Sequence, residues 1–117
     1  MSEQELHHIA MNHVGKQLEK DGFEFLAVNS HLKKHPQFVC VDKENTLHYI
    51  LVQHATYPNN PQYYDPIWME TIRKHAAKKK AQIKFAGVGI ANANNIENPI
   101  VKHEDYHLFF EGFQNII

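Results

Sequence analysis

Leu6, Ile9, Ala10, Val14 and Leu18 recur at the three- and four-residue spacing of one helical face. Ser2 stands three residues before Glu5, a pairing in which each side chain bonds the other's backbone N–H, so the helix is predicted to begin there and run to about Lys20. Asp21-Gly22 supplies its stop, because glycine accepts the left-handed backbone common just past a helix C-terminus. Residues 23–28 form a short aromatic and apolar run between turn residues and predict a strand. Residues 30–35 are polar and predict a loop.

Phe38-Val39-Cys40-Val41 is apolar at both parities, as in a strand buried on two faces, with Pro36 just ahead of it where a missing N–H does least harm. Residues 42–45 predict a tight polar turn. Residues 46–54 then place Leu47, Tyr49 and Leu51 on one side and Ile50 and Val52 on the other, so the two strands are expected to pair as a hairpin. The two prolines and two asparagines of residues 57–61 predict an exposed loop. Asp65-Pro66 is an N-cap followed by proline at the first helical position, and Ile67, Thr71, Ile72, His75, Ala76 and Lys79 mark a second helix to about Lys80. Ile83, Phe85, Val88 and Ile90 predict another strand, whose Gly87 and Gly89 leave one side bare for a helix or another backbone to approach. Residues 92–99 predict a loop, and the aromatic run 106–113 an added edge strand, with a short helix as the alternative.

The resulting order, α-β-β-β-α-β, defines an α+β (mixed α/β) fold in which helices flank a central mixed sheet. The first three strands are expected as an antiparallel meander, and the second helix as the crossover into a parallel fourth strand. No repeat, low-complexity tract or linker interrupts residues 1–117, so a single domain is expected.

With 43% hydrophobic residues the chain can form one core, and a net charge of −1 gives no global field of the kind that marks a nucleic-acid or membrane binder. No apolar run approaches the roughly 20 residues of a membrane span. The acidic start and the lone Cys40 lead to the expectation of a reducing, cytoplasmic location without a disulfide framework. Cys40, amid apolar neighbours, reads as a small buried hydrophobe rather than a nucleophile. The Gly87-Val88-Gly89 run lacks the further glycine at Asn92 that a dinucleotide site requires, and no cofactor is expected.

The segment His35-Pro36-Gln37, an apolar strand, a polar turn, a second apolar strand and Gln53-His54-Ala55-Thr56 resembles the active-site layout of the PD-(D/E)xK nuclease superfamily, which has the restriction-endonuclease-like fold. The run Gly15 to Phe23 is similar to that family's passage from first helix into first strand, and the resemblance covers residues 5–91. It implies a site in which two carboxylates hold Mg²⁺ and a lysine stabilises the developing charge. Here Gln37 and Gln53 stand where those carboxylates belong and Ala55 where the lysine belongs. Neutral amides lack the charge that offsets stripping water from a hard dication, so this motif is expected to be degenerate, with no catalytic residue and no metal ligand. Asp42 and Glu44 lie in the hairpin turn, at the far end of the strand from Gln53.

Ten histidines raise the question of a transition-metal site. His7, His8 and His13 lie on the first helix, His48 and His54 on one face of the third strand, and His31 and His35 flank Lys33-Lys34 in the loop. None forms a convergent ligand set, and each is expected to be a surface or hydrogen-bonded imidazole. Arg73, Lys74, Lys78, Lys79, Lys80 and Lys84 gather six of the twelve basic residues, with no acidic residue between Glu70 and Glu97. They are the candidate nucleic-acid contacts, weighed against a solvated helix face favoured by the macrodipole. Trp68 reads as core, and the Tyr63-Tyr64 pair as a contact candidate. Three readings follow: a non-catalytic restriction-endonuclease-like module for nucleic acid or a protein partner, a divergent Mg²⁺-dependent nuclease with relocated carboxylates, and a structural homo-oligomer joined through its C-terminal strand.

Overall fold

A computed structural model describes residues 1–32 and 35–117. Its elements follow the expected order: α1 (Glu3–Lys20), β1 (Glu24–Val28), β2 (Phe38–Val41), β3 (Leu47–Thr56), α2 (Pro66–Lys78) and β4 (Gln82–Asn92), then β5 (Tyr106–Phe110) and β6 (Gln114–Ile116). The Lys33-Lys34 part of the loop expectation lies outside the described residues. Among the described residues no helix is long and apolar enough to cross a membrane.

Local chemistry sets the helix ends. Ser2 accepts from the N–H of Glu5 while Glu5 accepts from the N–H of Ser2, and this reciprocal cap, with Lys102 alongside, holds the Glu5 carboxyl down at about 2. Gly22, at φ +87°, turns the chain after α1, and Phe23 closes the turn by donating to the Leu18 carbonyl. The Asp65 side chain caps α2 by accepting from Ile67, and Pro66 opens the helix.

The strands lie in the order β1-β2-β3-β4-β5, antiparallel except for the parallel pair β3 and β4 that the α2 crossover requires. β3 is the hinge of the architecture because its side chains alternate between two cores. Ile50 and Val52 join Leu6, Ala10, Val14 and Leu18 of α1, whereas Tyr49 and Leu51 join Met69 and Ala76 of α2. Each helix therefore covers its own face of one sheet. Ile67, a marker of the second helix by spacing, is 80% exposed; the face that packs is carried by Met69, Ile72 and Ala76 instead.

The C-terminal run is an edge strand in two pieces. β5 pairs Phe110 with Val88 and β6 pairs Gln114 with Phe85, both antiparallel to β4, with the register displaced by one residue at the break. Gly112, at φ +99°, lies in that break. A one-residue displacement exchanges the faces of a strand, so Leu108 and Phe110 pack on the α1 side whereas Ile116 packs on the α2 side.

Candidate functional site

β2 begins at Phe38, opposite Ile50, but β3 continues to Thr56, so residues 51–56 have no β2 partner. Beyond that point the sheet opens into a cleft of about 590 Å³ between the first turns of α1, the exposed edge of β3 and the first turn of α2. Glu3 and His7 of α1, Val52, Gln53 and His54 of β3, and Trp68 of α2 line it, with Leu32, His35 and Asp65 completing the wall.

Gln37 closes the sheet behind this cleft. Its backbone N–H donates to the Ile50 carbonyl at 3.1 Å, and its side-chain Oε1 accepts from the Val52 N–H at 2.8 Å. The amide carbonyl thus continues a ladder whose next backbone partner is missing, and the side chain is fully buried. With Oε1 so engaged, Nε2 donates to Nδ1 of His35 at 2.6 Å, which requires the tautomer with its proton on Nε2. Burial lowers the pKa of His35, and its ring meets the Trp68 indole edge-on at 4.7 Å.

Gln53 is engaged elsewhere. Its Nε2 donates to the Tyr63 carbonyl and, at 3.4 Å, to that of Pro61. Ala55 lines a separate recess of about 260 Å³, with Gly89, Pro61 and Phe109. The three motif positions therefore do not share one pocket: Gln53 faces the cleft, Gln37 lies behind it, and Ala55 belongs to the neighbouring recess. Asp42 is tied to the hairpin turn, accepting from Glu44, Thr46 and His48. Among the described residues no group of three or more His, Cys, Asp or Glu converges to hold a metal ion.

The histidines divide by environment. His54 donates from Nε2 to Glu3 at 2.6 Å and His48 donates to Asp42 at 2.9 Å. His7 departs from the expectation for this residue type: it is 1% exposed, and among the described residues neither ring nitrogen has a hydrogen-bond partner. Burial, reinforced by His54, His8 and His35, pushes its pKa down to about 4, so the ring is neutral near pH 7. The signal was present in the sequence: at about 100° per residue, His7 falls between Val14 and Leu18 around the helix, inside the apolar stripe. Its ring centroid lies 6.0 Å from that of His54. Glu3 and Leu32, also in the cleft wall, carried no sequence signal, and Trp68 lies half-buried at the cleft rather than wholly in the core.

The basic cluster is split by the fold. Lys74, Lys78, Lys79 and Lys80 are exposed at the C-terminal end of α2, and among the described residues none is in an ion pair. Arg73 instead pairs with Glu70 at 3.2 Å, and Lys84 donates to Asn115 at 2.7 Å from the sheet face opposite α2. A 13-residue helix is about 20 Å long, so Lys78, Lys79 and Lys80 lie at the opposite end from the cleft, with Lys74 about one turn nearer to it. Cys40 is fully buried, and burial pushes its thiol up to about 11, the state of an inert core residue. Tyr63 is exposed, whereas Tyr64 packs on Phe85 with centroids 5.0 Å apart.

Fold and cleft together define an α+β domain with one mixed sheet, a helix on each face and an open site at the unpaired edge of its central strand. Residues 4–116 match the family described as a domain of unknown function (DUF8840), and the chain belongs to that family. Comparison with the curated proteins and with the solved structures gives no match.

Proposed function

We propose that the chain is a restriction-endonuclease-like domain that binds nucleic acid without cleaving it, in a reducing cytoplasmic setting. One observation carries this reading: Gln37, at the position that corresponds by resemblance to the metal-binding acid of the PD-(D/E)xK nucleases, has its side chain committed to the sheet through the Val52 N–H. A neutral amide used as a ladder carbonyl has no charge to hold Mg²⁺ and no freedom to turn towards a phosphate. Binding is assigned to Lys74, Lys78, Lys79 and Lys80, whose ammonium groups neutralise phosphates at the negative end of the α2 dipole.

The test combines cleavage and binding. Mg²⁺ or Mn²⁺ titrated into the pure protein is expected to give neither saturable binding nor strand scission, and scission would favour relocated carboxylates. Anisotropy of a labelled oligonucleotide should show weak affinity whose logarithm falls with log salt at a slope of about −3 to −4 for four lysines. The variant with all four changed to alanine should lose it. Absence of binding at low salt, with a dimer in sedimentation, would replace this reading by the homo-oligomeric one.

A further inference from the structure

The two outer edges of the sheet are built differently. β1 is guarded: its register with β2 slips between Phe25 and Ala27, a bulge that breaks the spacing of its outward backbone groups, and it begins with Glu24. β5 pairs with β4 without a slip and carries no proline, lysine or carboxylate from Tyr106 to Phe110. Its ladder runs through Asp105, which accepts from the Ala93 N–H, and through His107 and Phe109, opposite Ala91 and Gly89. Alternate residues of a strand turn their N–H and C=O to alternate sides, so those of Tyr106, Leu108 and Phe110 face outward. Among the described residues no group pairs with them. A regular row of free donors and acceptors about 17 Å long is a template for one more strand.

The surroundings of this edge select what completes it. Leu108 and Phe110 are half-buried on the α1 side; on the other side Phe109, 53% exposed, shares a recess of about 260 Å³ with Tyr57, Pro61 and Glu111. Acidic groups stand at the ends of the strand, Glu104 and Asp105 before it and Glu111 after it, and among the described residues none is in an ion pair. A second copy fits this edge poorly. Antiparallel pairing of β5 with itself over its whole length sets Asp105 of each copy against Glu111 of the other, and like charges directly opposite are destabilising. We infer that the outer edge of β5 receives, as an added antiparallel strand, an extended segment of another polypeptide with basic residues opposite Asp105 and Glu111 and an apolar or β-branched stretch between them. The main-chain ladder supplies affinity, and the aromatic and acidic side chains beside it supply selectivity. This docking is independent of any nucleic acid held by the α2 lysines.

The probe is a blocked heptapeptide with lysine at both ends and alternating valine and threonine between, added to the ¹⁵N-labelled full chain near pH 7. In the free chain the amides of Tyr106, Leu108 and Phe110 should exchange with solvent about tenfold or more faster than those of His107 and Phe109. Peptide at up to about 1 mM should shift the three outer amides saturably and slow their exchange about tenfold or more. Replacing its lysines by glutamate, or methylating the backbone nitrogens that face β5, should abolish this protection. Glu111→Lys, a change at an exposed position, should weaken the peptide about threefold or more by turning an attractive cross-strand pair into a repulsive one. No protection by the lysine peptide, equal protection by the glutamate or methylated peptide, or unchanged affinity in Glu111→Lys overturns the inference. Outer amides already protected in a free chain that sediments as a dimer overturn it too, and assign the edge to a second copy.

Discussion

His7 couples the stability of the fold to pH through a single ring. The unfolded chain protonates this imidazole near 6.5, whereas the folded chain resists until about 4, because charging a buried ring next to His54, His8 and His35 is unfavourable. Between those values the unfolded state holds the extra proton. Stability is therefore full above about 6.5, declines as the pH falls through the window, and stops declining below about 4. The total is on the order of 3 kcal/mol for this residue. His7→Phe keeps the shape, removes both unpaired nitrogens and cannot titrate. Urea denaturation should show it to be as stable as the parent protein or more so near pH 7, by up to about 2 kcal/mol. Near pH 4.5 the gap should widen by about 2 kcal/mol or more. Comparing the two proteins at each pH isolates this ring, because the other nine histidines are common to both. An unchanged gap across the window would show that the folded state accommodates the charged ring.

At the scale of elements, the close approach that glycines permit organises β4 and the loop above it. A β-carbon added at Gly87 would stand 2.2 Å from the Pro61 carbonyl oxygen, a backbone atom that cannot yield by rotating a side chain. The same loop is fastened by Gln62 donating to the Gly87 carbonyl and by Gln53 donating to Pro61 and Tyr63. Gly87→Ala should therefore destabilise by at least about 2 kcal/mol in a denaturation experiment, the upper part of the usual overpacking range. Gly89→Ala should cost less, since its added carbon meets the Phe109 and Pro61 side chains at 3.4 Å. This approach was legible in the sequence, because two glycines at one parity of a strand that also carries Ile83, Phe85, Val88 and Ile90 leave one side bare. So were the Ser2 and Asp65 caps, the strand at residues 38–41 and the crossover into β4, all of which follow from local chemistry and period. What escaped depends on partners distant in sequence. Ile67 has the spacing of a core residue yet stays exposed, and Lys84 belongs to a charge cluster in sequence yet to the opposite sheet face in space. The role of Gln37 as a ladder carbonyl follows only once β2 is seen to start well short of the end of β3.

Across the whole molecule, the motif that resembles a nuclease site has been distributed among separate tasks, and restoring its letters should not restore its chemistry. The variant Gln37→Asp, Gln53→Glu, Ala55→Lys carries the residue types that hydrolysis of a phosphodiester demands. An aspartate at position 37 is one methylene too short to hold the Val52 N–H as Gln37 does, and its carboxylate is taken out of water at a fully buried position. A glutamate at position 53 loses the amide donor that binds the Tyr63 and Pro61 carbonyls and sets two acceptors against them. A lysine at position 55 emerges in the recess that contains Glu111, away from the cleft. Two carboxylates must converge on one ion before their charge offsets its dehydration, and these two side chains are directed to different partners, Val52 for position 37 and the Pro61 and Tyr63 carbonyls for position 53. The triple variant is expected to unfold more easily by about 3 kcal/mol or more, one unpaired polar group at each glutamine position contributing about 1–3. Its melting temperature should be unmoved by millimolar-range Mg²⁺ or Mn²⁺, and it should leave supercoiled DNA intact. Stabilisation by Mg²⁺, or Mg²⁺-dependent nicking by the purified variant, would mean that β3 and the residues ahead of β2 can swing together. In that case the committed amides of Gln37 and Gln53 hold an intact nuclease scaffold in a resting arrangement, and the binding-only reading gives way.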